Sequence, residues 1–171
     1  MEVRRTAPRG RWVVAAVAAT LSIVSACAEG STEWVSPMAF DTGLVHVITA
    51  TDTVPLLVEL AQSSEQHQFG LSRRPSLDPG SGMLFQFDSL RGPDQGFWMW
   101  RTNIPLDIAF LEPDGTIVAI LSMPVCGQTV QSCPTHAPGA EHQHALEANL
   151  DWFSSNGVTV GDRVELVEGG M

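Results

Sequence analysis

The 171-residue chain reads as a mainly β protein, a jelly-roll-like β-sandwich or barrel of about eight short strands with one or two short helices. Three observations predict this. Short apolar segments, rich in Val, Ile, Leu and Phe, recur between residues 44 and 167. Gly, Pro, Asp and Asn punctuate them, as the turns between strands require. Only two stretches carry helical signals, and no repeat appears at a period of roughly 20–50 residues.

The elements follow in order. Residues 44–50 (LVHVITA) and 54–61 (VPLLVELA) form the first two strands. Pro55 makes the second an edge strand or confines the proline to a strand's first residues, because proline donates no ladder hydrogen bond. Ser63 to Gly70 is a helix of about two turns: Ser63 caps it, Gln66 occupies the capping-box position and Gly70 ends it. Residues 72–81 are loop. Strands come next at 83–87, 97–100, 106–111 and 116–121. Glu112-Pro113-Asp114-Gly115 joins the last two as a hairpin, with Pro at the second turn position and Gly supplying positive φ. Residues 144–148 and 163–167 are the final strands, and 151–155 forms a helical turn before Asn156-Gly157.

The N-terminus is an address. Residues 1–11 hold four of the nine arginines, and Trp12 to Val24 runs 13 residues without charge. Such a run is too short to span a hydrocarbon core, which needs about 20 residues, and has the form of a secretory signal. It ends in Val24-Ser25-Ala26-Cys27, which resembles the bacterial lipobox. That resemblance implies removal of residues 1–26 and acylation of Cys27, with palmitate among the attached chains. Residues 27–43 are then a lipidated cysteine and tether, and 44–171 a single β domain on the outer side of a bacterial cell membrane. Trp34 and Phe40 in the tether dock on the domain or on the bilayer interface.

Beyond Cys27 the chain has five arginines and no lysine against 18 acids, a balance of −13. Nucleic acid is excluded as a partner, since phosphate binding needs a basic footprint. The expected partners are the membrane, through the anchor, and a small ligand or envelope protein. Three cysteines are odd in number; lipidation of Cys27 leaves Cys126 and Cys133 as a pair. In an exported chain this pair reads as a disulfide.

Several segments in order resemble the bacterial and archaeal family called domain of unknown function 192. They include Gly70-Leu71, Arg74, Gly82-Met83-Leu84-Phe85, Phe97-Trp98-Met99, Thr102, Pro105-Leu106-Asp107-Ile108, Asp114-Gly115, Leu146-Glu147 and Gly161-Asp162, across about residues 54–167. The resemblance implies a compact, often exported, mostly β domain of jelly-roll type, and carries no established activity. The chain departs from the family pattern at Ser72, where Met is usual, and at His67, where Arg is common. Arg101 stands in place of an Asn common just before Thr102, and Asn103 at a usually apolar place.

The polar strand residues are the candidate site. Asp107 and Glu147 each sit inside a strand between apolar neighbours, and a buried carboxylate needs a partner. The expected pocket gathers Arg74, Trp98, Trp100, Arg101, Thr102, Asn103, Asp107 and Glu147, with Asp107 in salt-bridge reach of Arg74 or Arg101. Along 97–100, Phe97 and Met99 share one side, Trp98 and Trp100 the other. His142-Gln143-His144 puts two imidazoles on one strand face and approaches the cupin metal motif. Glu147, however, is spaced onto the opposite face, no His follows His144, and His136 lies in the preceding loop. No G-x-S-x-G elbow or phosphate loop is present. The sequence thus predicts a non-catalytic, ligand- or partner-binding lipoprotein domain without cofactor. The alternative is a metal-dependent, cupin-like enzyme using His142 and His144, with His136 as a further ligand.

Overall fold

A computed structural model of the chain describes residues 34–127 and 129–167. The export segment and Cys27 lie outside the described residues. Nine strands are present among them: β1 (Asp41–Ile48), β2 (Thr53–Ala61), β3 (Ser81–Arg91), β4 (Phe97–Trp98), β5 (Leu106–Leu111), β6 (Ile117–Met123), β7 (Thr135–His136), β8 (His142–Asn149) and β9 (Arg163–Val167). Helix α1 (Ser64–Phe69) lies between β2 and β3, and α2 (Trp152–Ser155) between β8 and β9. The protein is mainly β, with two short helices.

Local chemistry accounts for the element ends. Ser63 Oγ accepts from Gln66 N–H at 3.2 Å, and Gln66 Oε1 accepts from Ser63 N–H at 2.9 Å, a complete capping box. The β5–β6 hairpin turns through Glu112–Gly115, with Gly115 at φ 88°. A side chain at that position would also strike the Val164 carbonyl, since a built Cβ lies 2.1 Å from it.

Seven strands form one sheet in the order β6-β5-β8-β3-β2-β1-β9, all antiparallel except β2 with β3. Because a parallel pair needs a crossover, residues 62–80 leave the sheet and lay α1 over one face. The sheet curls until its edges touch at one corner. Val164 N–H donates to the Gly115 carbonyl (2.9 Å) and Ile117 N–H to the Asp162 carbonyl (2.8 Å), around one bridge between Thr116 and Arg163. The contact is local, so the sheet does not close as a continuous barrel.

Each face of the sheet buries its own core. On the concave side Val45, Leu56, Leu84, Ala109, Leu146 and Phe153 pack together. On the other side Met83, Phe85, Met99, Ile108, Phe110 and Ala145 do so, with Phe97 placed edge-on to Phe85 (4.8 Å) and Phe110 (5.8 Å). Strands β5 and β8 contribute to both cores. This explains why Leu106–Leu111 is buried at every position and reads as a continuous apolar run.

Several expectations need correction. Strand β2 lies inside the sheet and not at its edge, and Pro55, its third residue, takes the other expected place, among a strand's first residues. Its Pro55 is tolerated because β3 pairs only from Leu57 onward, leaving residue 55 before the parallel ladder begins. The 97–100 strand stops at Trp98, and Thr102 N–H closes a turn onto the Met99 carbonyl (3.0 Å). Its partner β7 is a two-residue strand without periodicity to announce it. Strand β8 is longer than expected, reaching back to His142. Cys126 and Cys133 are joined, Cα to Cα 5.1 Å, around one 3-10 turn (Val130–Ser132).

Candidate functional site

Glu147 stands two residues before the end of β8, the third strand of seven in the sheet. Its partners in register are Met83 of β3 and Ile108 of β5, both fully buried. Its carboxyl therefore emerges between two apolar side chains on the α1-covered face, where Phe85 and Phe97 also pack. It is 5 % exposed. Burial pushes its pKa up to about 8, and neither a hydrogen bond nor a nearby charge opposes the shift. At neutral pH the group is a neutral carboxylic acid, able to donate and to accept.

The carboxyl opens on a small pocket of about 30 Å³, enough for one water-sized group. Gly70 to Ser72, after α1, form one wall. Trp98, Trp100 and Thr102 form another. Although β4 ends early, the alternation along it persists. Phe97 and Met99 turn into the core, and Trp98 and Trp100 line the mouth, Trp98 being 49 % exposed. His67 belongs to the same surroundings, but its Nε2 lies 3.0 Å from the Ala61 carbonyl and 2.9 Å from that of Gln86. That nitrogen ties α1 to the sheet.

Four of the sequence-selected residues, Trp98, Trp100, Thr102 and Glu147, thus share one depression. The other four do not line it. Arg101 and Asn103 are exposed neighbours in its rim loop. Arg74 points to a separate groove of about 600 Å³, where it pairs with Glu59 and lies 5.2 Å from the Trp34 ring centroid. Trp34 and Phe40 accordingly dock on the domain, Phe40 against the second core.

Asp107 corrects the expected salt bridge. It faces the concave side, opposite Glu147, and among the described residues no arginine pairs with it. Its Oδ1 accepts from Ser122 Oγ at 2.7 Å, and its Oδ2 from Asp151 N–H at 2.8 Å. Asp151 has left-handed backbone (φ 65°) and occupies the N-cap position of α2, with no capping hydrogen bond from its side chain. The two hydrogen bonds make Asp107 an anchor for the α2 turn.

The metal alternative loses its geometry. His142 packs edge-on to Phe110 (4.9 Å), whereas His144 lines a concavity with Leu84, Gln86 and Leu111. Since Phe110 belongs to one core and Leu84 and Leu111 to the other, the two imidazoles do not share a face. His136 pairs with Phe97 across β4 and β7. Burial lowers the pKa of all three, and no group of three His, Cys, Asp or Glu among the described residues is placed to hold a metal ion.

Sequence reasoning missed the Gly70–Ser72 wall and Arg73, which follows it. Arg73 carries left-handed backbone (φ 63°), a feature that its sequence neighbourhood does not announce.

Comparisons with known proteins agree with this architecture. A solved protein from Sinorhizobium meliloti, named a transcription regulator on a provisional basis, superposes with a TM-score of 0.64 at 31% identity. The match covers 77% of this chain and 98% of that one. A protein of unknown function from Novosphingobium aromaticivorans gives 0.61 at 29% identity, covering 77% and 91%. No curated protein matches. The family described as uncharacterized ACR, domain of unknown function 192, matches residues 46–166, and the chain belongs to that family.

Proposed function

We propose that the protein is a lipid-anchored, extracytoplasmic binding module, non-catalytic, whose β domain holds a small polar ligand in the Glu147 pocket. One observation carries the reading. A carboxyl set between Met83 and Ile108, open only to the pocket and without a hydrogen-bond partner among the described residues, costs stability, and a fold tolerates that cost where the group serves a ligand. The pocket admits one functional group, so the body of the ligand rests outside, against Trp98 and Trp100. Catalysis is not favoured, because among the described residues no titratable group other than His67 lines the pocket with Glu147 to complete an acid–base pair. His67 is the nearest candidate, and its Nε2 is engaged by backbone carbonyls.

The binding half is tested by thermal-shift screening of the full chain against small sugars, amides and carboxylic acids. Compounds that stabilise the wild type should lose their effect on Glu147→Leu. Stabilisation retained in that variant would place the seat elsewhere. The anchoring half rests on Val24-Ser25-Ala26-Cys27 behind an uncharged run. Metabolic labelling with an alkyne fatty acid should tag the wild type and not Cys27→Ser, and label kept by the variant would contradict it.

A further inference from the structure

The rim of the Glu147 pocket joins two loops through one backbone hydrogen bond, from Arg73 N–H to the Arg101 carbonyl at 2.7 Å. Both residues have φ 63°, a conformation rare for residues other than glycine and concentrated at ligand clamps. Each adjoins lining residues: Arg73 follows Ser72, and Arg101 lies between Trp100 and Thr102. Both are exposed. Among the described residues, the ion pairs engage Arg74 and Arg163 instead. With five arginines against 18 acids beyond Cys27, most of the surface repels anions. Two exposed arginines that form no ion pair among the described residues thus adjoin the lining of one pocket in an otherwise acidic domain. The Arg101 guanidinium lies 5.4 Å from the Trp100 ring centroid, so cation and indole are presented together.

We propose that the pocket selects an acidic sugar, a pyranose bearing a carboxylate; this rests on the Glu147 pocket being the ligand seat. Three chemistries converge on that class. The indoles of Trp98 and Trp100 suit the apolar C–H face of a sugar ring. Glu147, as a neutral carboxyl, and the Thr102 hydroxyl both donate and accept, which matches an inserted ring hydroxyl. Arg73 and Arg101 offer planar donors to the ligand carboxylate. A neutral sugar leaves the arginines unused, and a simple anion leaves the tryptophans unused.

The test compares methyl β-D-glucuronide with its methyl ester, which keeps the ring and removes the charge. Affinities for the full chain in detergent micelles are read by saturation-transfer NMR. The wild type should bind the acid about tenfold or more tightly than the ester, the size expected of a charge-assisted contact. Arg101→Asn removes the charge while suiting the left-handed backbone; it should weaken the acid about tenfold and leave the ester unchanged. Glu147→Leu should lose both. Equal binding of acid and ester, both lost in Glu147→Leu, overturns the selectivity and leaves the seat standing. If neither binds the wild type, or both still bind Glu147→Leu, the seat fails and the selectivity with it.

Discussion

Asp107 and Glu147 look alike in the sequence and differ at every physical step. Both are acids inside apolar strands, 4 % and 5 % exposed. Asp107 points to the concave side, where a hydroxyl and a backbone N–H satisfy it; Glu147 points to the other side, where no hydrogen bond among the described residues does. Replacing Asp107 by Ala should strand the Asp151 N–H and loosen α2, costing about 2–3 kcal/mol. Asp107→Asn keeps an acceptor for Asp151, and Ser122 Oγ can turn to accept, so its cost should stay near 1 kcal/mol. Chemical denaturation of both variants checks the order; equal losses would mean that charge, rather than the α2 anchor, is what Asp107 supplies. The conformation of residue 101 explains one family departure. A position held at φ 63° suits Asn, so the Asn common there in the family is accounted for by backbone preference, and Arg101 keeps the conformation while adding a cation.

At the scale of elements, local signals were legible and pairings were not. Ser63, Gln66 and Gly70 announced α1, and Pro113-Asp114-Gly115 announced the β5–β6 hairpin, because caps and turns are set by neighbours in sequence. Strand β7 escaped notice, since Thr135–His136 is held by Phe97 and Trp98, some 38 residues earlier. The parallel β2–β3 pair was also hidden, as no residue marks a crossover whose partners are distant in sequence. Within the candidate site, the alternation of Trp98 and Trp100 was readable. The sides taken by Asp107 and Glu147 were not, because both faces of β5 and β8 are buried and burial cannot orient them. The 126–133 loop is closed by the Cys126–Cys133 bond. In the chain-entropy model, closing about eight residues stabilises by ~2.5 kcal/mol. The double variant Cys126→Ser, Cys133→Ser should lower Tm by several degrees, read by differential scanning calorimetry. An unchanged Tm would show that the loop holds its conformation without the bond.

In the whole molecule, one curled sheet separates two cores, and Glu147 lies on the side that the β2–β3 crossover covers. That crossover supplies the Gly70–Ser72 wall, while the chain after β4 supplies Trp98, Trp100 and Thr102, so the pocket exists only when the layers are assembled. This assembly encloses a carboxyl that has no hydrogen-bond partner among the described residues. Its folded pKa, about 8, exceeds the ordinary value of 4.5. Between those values the native state holds a proton that the unfolded chain has released, so stability falls as pH rises through the interval. Each pH unit is worth about 1.4 kcal/mol, giving a loss of several kcal/mol above pH 8. His136, His142 and His144, lowered by burial, act oppositely and cost stability below about pH 6.5, so the wild-type profile mixes both trends. The difference between wild type and Glu147→Gln cancels the histidines. Their Tm values, measured from pH 5 to 9, should nearly coincide at pH 5 and diverge until the variant melts about 10 °C higher at pH 9. A Tm difference that stays constant across that range would contradict a buried Glu147 carboxyl that is protonated in the folded protein.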